Sequence, residues 1–94
     1  MENKELQKKA ELIYKECVHK ALDQVLLGRQ SETAKCWQEA GFYYSTAIDW
    51  YLKAIQTCKI HNLNKDLLED AQVSYKRAKS AYYRALDAHC SRFL

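Results

Sequence analysis

Residues 40–58 read Ala40-Gly41-Phe42-Tyr43-Tyr44-Ser45-Thr46-Ala47-Ile48-Asp49-Trp50-Tyr51-Leu52-Lys53-Ala54-Ile55-Gln56-Thr57-Cys58. Within this stretch Ala40, Tyr44, Ala47, Tyr51, Ala54 and Cys58 recur at alternating spacings of four and three. Trp37 and His61 extend the series at either end. That is the seam of a heptad pattern, which keeps one helical face turned to a partner. Its chemistry alternates a large ring with alanine, so each ring can sit over an alanine of a neighbouring antiparallel helix and the backbones can come close. Thr46 and Asp49 resemble a weak capping box. The seam nevertheless crosses Ser45 and Thr46 without a change of phase, and the spacing predicts one continuous helix.

The same pattern lies on either side. Thirty-one residues on, Leu68, Ala71, Tyr75, Ala78, Tyr82, Ala85 and His89 repeat it. A weaker copy, Ala10, Tyr14, Cys17 and Ala21, precedes it. Two short segments punctuate the chain. Gly28 suits a helix C′ position because glycine enters the left-handed region without steric cost, and Ser31 suits an N-cap. Asn62 suits a second terminus, with Asn64 as the next N-cap and Asp66 in the first turn behind it. Three helices are predicted, at about 3–27, 32–61 and 65–92. Short connections make them an all-α, up-down-up antiparallel three-helix bundle that occupies 1–94 as a single domain. The composition agrees: there is no proline and only two glycines in 94 residues, against the frequent turns of an all-β chain.

Fifteen Lys and Arg against twelve Asp and Glu leave a formal charge of +3. No window approaches the apolar length of a membrane span, and the first ten residues are too polar for a signal peptide. A cytoplasmic protein is expected, with Cys17, Cys36, Cys58 and Cys90 as buried thiols in a reducing compartment.

Reaction chemistry is absent from the pattern. No obvious acidic or nucleophilic partner accompanies His19, His61 or His89 in the sequence pattern, and no glycine loop for phosphate occurs. Cys58 and His61 share a helical face and His89-Cys90 offers two more ligands, but the hairpin geometry keeps these pairs turns apart, short of the four converging ligands that zinc needs. A smaller cluster of Cys36, His89, Cys90 and Asp23 could meet at the other end, but ordinary core and end-of-bundle roles are the simpler expectation. No enzyme activity, cofactor or metal is expected. Lys76, Arg77, Lys79, Arg84 and Arg92 make the third helix the most basic, with Tyr83 among them. A basic bundle associated with nucleic acid is therefore the alternative reading. Glu69, Asp70 and Asp87 on the same helix count against it.

Ala34-x2-Trp37-x2-Ala40-Gly41-x2-Tyr44 resembles the first helix of a tetratricopeptide repeat, and Ala47–Ile55 resembles the second. Ala47–Ile55 together with Tyr75-Lys76-Arg77-Ala78-Lys79 is similar to the second and third helices of microtubule-interacting and trafficking (MIT) domains. Both families are non-enzymatic and bind peptides or helices in grooves between their own helices. The resemblance implies that role here, with a ligand beside the third helix.

The apolar residues left over point the same way. Phe42, Tyr43, Ile48, Trp50, Leu52 and Ile55 lie beyond the seam of helix 2. A single first helix covers one side of the helix 2/3 pair, and the other side keeps a groove. On helix 3, Lys76, Lys79, Tyr83 and Leu86 form one stripe at 3-4-3 spacing, continued by Cys90 and Phe93. These four are the predicted partner-binding residues. Tyr83 and Leu86 give apolar anchors, and the lysines favour an acidic ligand. The expected partner is a protein or peptide segment, helical and acidic, or a second copy of the chain in a homodimer. If helix 1 covers that side, Tyr43 and Trp50 line the open groove instead.

Overall fold

The computed structural model describes residues 2–91. They form three helices and no strand: α1 (Glu2–Thr33), α2 (Trp37–Ile60) and α3 (Lys65–Ser91). Arg92 and Phe93, expected at the end of the third helix, lie outside the described residues. The bundle is a rod 59 Å long and 16 by 15 Å across at the Cα positions. Packing runs through the middle helix: α2 is in contact with both α1 and α3 along its length, while α1 and α3 barely touch.

The alanine and tyrosine seam forms the core. Ala40, Ala47, Ala54, Ala71, Ala78 and Ala85 are all buried, as are Tyr44 and Tyr51. The α1 copy of the pattern, Ala10, Tyr14, Cys17 and Ala21, is equally buried. Tyr75 and Tyr82 are half-buried and pack against the core from α3. Three clusters follow one another along the rod, around Tyr14 with Ile55, around Tyr51 with Ala78, and around Tyr44 with Ala85. A leucine in place of Ala47 or Ala78 would overfill this close packing, at a cost of about 1–3 kcal/mol.

Helix α2 is continuous through Ser45 and Thr46. The Thr46 hydroxyl donates to the Phe42 carbonyl one turn back, at 3.0 Å, so it bonds within the helix and caps nothing. The second connection also follows the sequence. Asn62 is left-handed (φ 50°), the Leu63 amide reaches back to the Cys58 carbonyl at 3.0 Å, and the Asn64 side chain accepts the Asp66 amide at 2.9 Å. These are a Schellman closure and an N-cap.

The first connection does not follow it. Helix α1 runs past Gly28 and Ser31, both buried, and ends at Thr33. The left-handed C′ residue is Lys35 (φ 60°). The Cys36 amide bonds the Ser31 carbonyl at 2.8 Å and the Lys35 amide bonds the Glu32 carbonyl at 2.9 Å. Gly28 is needed for room, not for a turn. An ideal Cβ on it would lie 2.6 Å from Cε1 of the Tyr44 ring. A further correction concerns the thiols: Cys17 and Cys58 are buried, but Cys36 and Cys90 are exposed at the ends of their helices.

Candidate binding grooves

Because α1 and α3 both lean on α2, each side of α3 borders a different groove. Between α2 and α3, near the first connection, Trp37, Gly41, Phe42, Tyr82 and Leu86 surround a groove of about 280 Å³. Its apolar character comes from the residues outside the seam: Phe42 is 67% exposed, and Leu86 39%. Gly41 lies in its floor, and a Cβ there would meet nothing within 4 Å. Packing does not require this glycine. Its bareness leaves the α2 backbone open to close approach.

Helix α1 covers the opposite flank of α2. Trp50 packs against the clusters that contain Tyr14, Cys17 and Ala21. Lys20 of α1 and Lys53 of α2 place their ammonium groups 4.6 and 4.5 Å from its ring centroid. Trp50 is therefore part of the α1 interface, and the groove left open beside α2 carries Trp37 and Phe42 instead.

The four residues expected on α3 do not share one groove. Leu86 borders the α2/α3 groove. Lys76 borders the α1/α3 groove on the other side. Lys79 and Tyr83 are exposed on the outward face between them. The Lys79 ammonium lies 5.7 Å from the Tyr75 ring centroid, and Tyr83 tilts against Tyr82 at 5.5 Å.

The α1/α3 groove is larger, about 520 Å³, with Tyr44 and Tyr51 of α2 as its floor. Two side-chain ties join α1 to α3. The Tyr14 hydroxyl donates to the Leu67 carbonyl at 2.8 Å, about two turns beyond the groove's lining. At the groove's other end, Arg84 grips the Glu32 carboxylate with two nitrogens, Nε to Oε2 at 2.9 Å and Nη2 to Oε1 at 2.6 Å. The Tyr44 hydroxyl donates to the same carboxylate, so one carboxylate joins all three helices. The Arg84 bonds hold the Glu32 carboxyl below its usual range, against the effect of burial, and Tyr44 adds to them. Tyr44 itself is pushed up to about 12, first by burial and then by its bond to Glu32. Glu32 and Arg84 are 52 positions apart in sequence, so no local pattern announces the arrangement.

Among the described residues, no three His, Cys, Asp or Glu side chains come together in a way that could hold a metal ion. No described helix is long and apolar enough to cross a membrane. Comparison of the chain with family models, with curated proteins and with solved structures finds no match.

Proposed function

We propose that the protein is a non-enzymatic interaction module that holds a helix or short peptide segment, or a second copy of itself, against the α2/α3 face. The observation that carries this reading is the uncovered apolar surface of Trp37, Phe42, Tyr82 and Leu86 around the bare floor at Gly41. An amphipathic helix fits such a surface, because its own apolar stripe buries what α1 leaves open. Tyr83 and Lys79 lie next to the groove on the outward face and extend the contact toward an acidic partner. The resemblance to MIT domains implies a ligand in a groove flanking the third helix.

The test pairs light scattering across protein concentration with binding to candidate helical peptides. Tyr83→Ala with Leu86→Ala should remove partner binding, or dissociate a homodimer, while helicity is retained. Gly41→Leu should do the same by filling the groove, since a Cβ on Gly41 meets nothing within 4 Å. Unchanged association in both variants would sink the reading. A sequence-independent shift of nucleic acid that persists near physiological salt, about 150 mM, would replace it with the basic-bundle alternative.

A further inference from the structure

The α1/α3 groove has a character of its own. Its floor is aromatic, through Tyr44 and Tyr51, Val25 lines the α1 wall and Ser74 and Ser80 the α3 wall, while Arg29, Lys76 and Arg77 stand on its rim. No Asp or Glu lines it. Arg84 is occupied by Glu32, but Arg29, Lys76 and Arg77 form no ion pair among the described residues. Arg29 is exposed at the edge of the groove, and its charge acts on both the Tyr51 hydroxyl and the Glu32 carboxyl. Guanidinium groups that make no ion pair complement an oxyanion, because the planar fork donates two parallel hydrogen bonds to carboxylate, sulfonate or phosphate.

The boundaries indicate the size of the occupant. The lined part of α1 runs from Leu22 to Arg29 and that of α3 from Ser74 to Arg84, roughly 10 and 15 Å at the helical rise. The Glu32–Arg84 tie closes the end at Arg84. A long helix lying along this channel would have to cross that tie, whereas a compact molecule fits beside it. The volume, about 520 Å³, falls in the range of small-molecule sites, which are mostly apolar with a few convergent polar groups.

We propose that the α1/α3 groove binds a compact amphiphilic anion, with an apolar ring or short chain against Val25, Tyr44 and Tyr51 and an oxyanion head held by Arg29 and Arg77. This site lies on the opposite side of α3 from the helix-binding surface and does not depend on it.

The probe is 1-anilinonaphthalene-8-sulfonate, which joins an aromatic body to an anionic head. N-phenyl-1-naphthylamine serves as the same ring system without the charge. The sulfonate should saturate at one per chain, and the uncharged dye should bind at least tenfold more weakly. Arg29→Gln with Arg77→Gln should weaken the sulfonate by roughly tenfold or more, since charge-assisted bonds of this kind are the strong ones. The same variant should leave the affinity for the uncharged dye unchanged and the helicity intact. Phe42→Ala with Leu86→Ala, in the other groove, should have no effect on either dye, which separates this site from the helix-binding reading. Non-saturating binding, equal affinity for the two dyes, or indifference to the arginine pair would overturn the proposal. Release of the dye by an acidic peptide but not by dodecyl phosphate would give the groove to a polypeptide, and release on self-association would give it to a second copy. Either result also overturns it.

Discussion

The Tyr44 ring occupies the space that a side chain on Gly28 would need: a Cβ built there falls 2.6, 2.8 and 2.9 Å from three ring carbons. The ring cannot readily yield. It is 1% exposed, and its hydroxyl is bound to Glu32. In an exposed helix, replacing glycine with alanine gains about 1 kcal/mol. Here overpacking of about 1–3 kcal/mol opposes that gain, and three contacts below 3.0 Å place the cost toward the upper end. Gly28→Ala should therefore lower stability by about 1–2 kcal/mol net, a fall of several degrees in Tm by thermal melting. A rise in Tm would show that the helix term dominates.

The Glu32 carboxylate should make part of the stability acid-sensitive. Its folded pKa is depressed, first by the Arg84 bonds. The stabilisation is thus complete above the unfolded pKa of about 4.3 and is lost as pH falls through the lower folded value. Glu32→Gln should cost about 1–2 kcal/mol at pH 7, a figure kept modest because Arg84 is largely solvated. Chemical denaturation at pH 7 and pH 3 should show the gap between variant and parent shrinking in acid. A constant gap would mean that the charge contributes little.

Alkali should separate the tyrosines. Tyr14 and Tyr44 are both held up to about 12, each chiefly by burial. Tyr51 is also raised, again first by burial. For a group whose neutral form the fold prefers, stability is complete below the unfolded pKa of about 10 and is lost as pH rises toward 12. Phenolate absorbance at 295 nm should therefore rise in two stages, with the second coinciding with loss of helical circular dichroism. A single transition near pH 10 with the helices intact would contradict this burial.

The first turn offers a stabilising change. Lys35 sits in the left-handed region at φ 60°, where a side chain costs about 1–2 kcal/mol. Glycine removes that cost but loses more chain entropy on folding. Lys35→Gly should raise stability by about 0.5–1 kcal/mol in a denaturant melt, and a decrease would point to a role for the lysine side chain.

The core was legible because alanine and tyrosine alternate at helical spacing on all three helices. A ring set over a small residue leaves one packed face and few alternatives. The Asn62-Leu63-Asn64 turn was legible for a similar reason: asparagine tolerates a left-handed backbone, and its amide caps the next helix. Gly28 misled because one residue type serves two physical needs, a left-handed turn and clearance for a ring, and only the packed structure distinguishes them. Lys35 carries no signal for the role it takes. On the surface, Lys76, Lys79, Tyr83 and Leu86 are all exposed on α3. Which groove Lys76 and Leu86 border depends on α1 leaning on α2, and that follows from the Trp50 contact, which no spacing on α3 encodes. The convergence of Arg29, Glu32, Tyr44 and Arg84 joins distant positions and has no local trace.

The pairing of α2 with both neighbours also bears on how the chain assembles. Nearly all contacts join helices that are adjacent in sequence and linked by short loops, so little loop entropy is spent before packing repays it. Such topologies fold in about microseconds to milliseconds. Either hairpin can form first with α2 as its template. The Tyr14–Leu67 and Glu32–Arg84 bonds span the longest stretches of chain and require all three helices in place, so loop-closure entropy favours their closing late. A bond that closes after the transition state slows unfolding and leaves the folding rate almost untouched. The clasp between α1 and α3 is therefore expected to set how long the bundle stays shut more than how fast it forms.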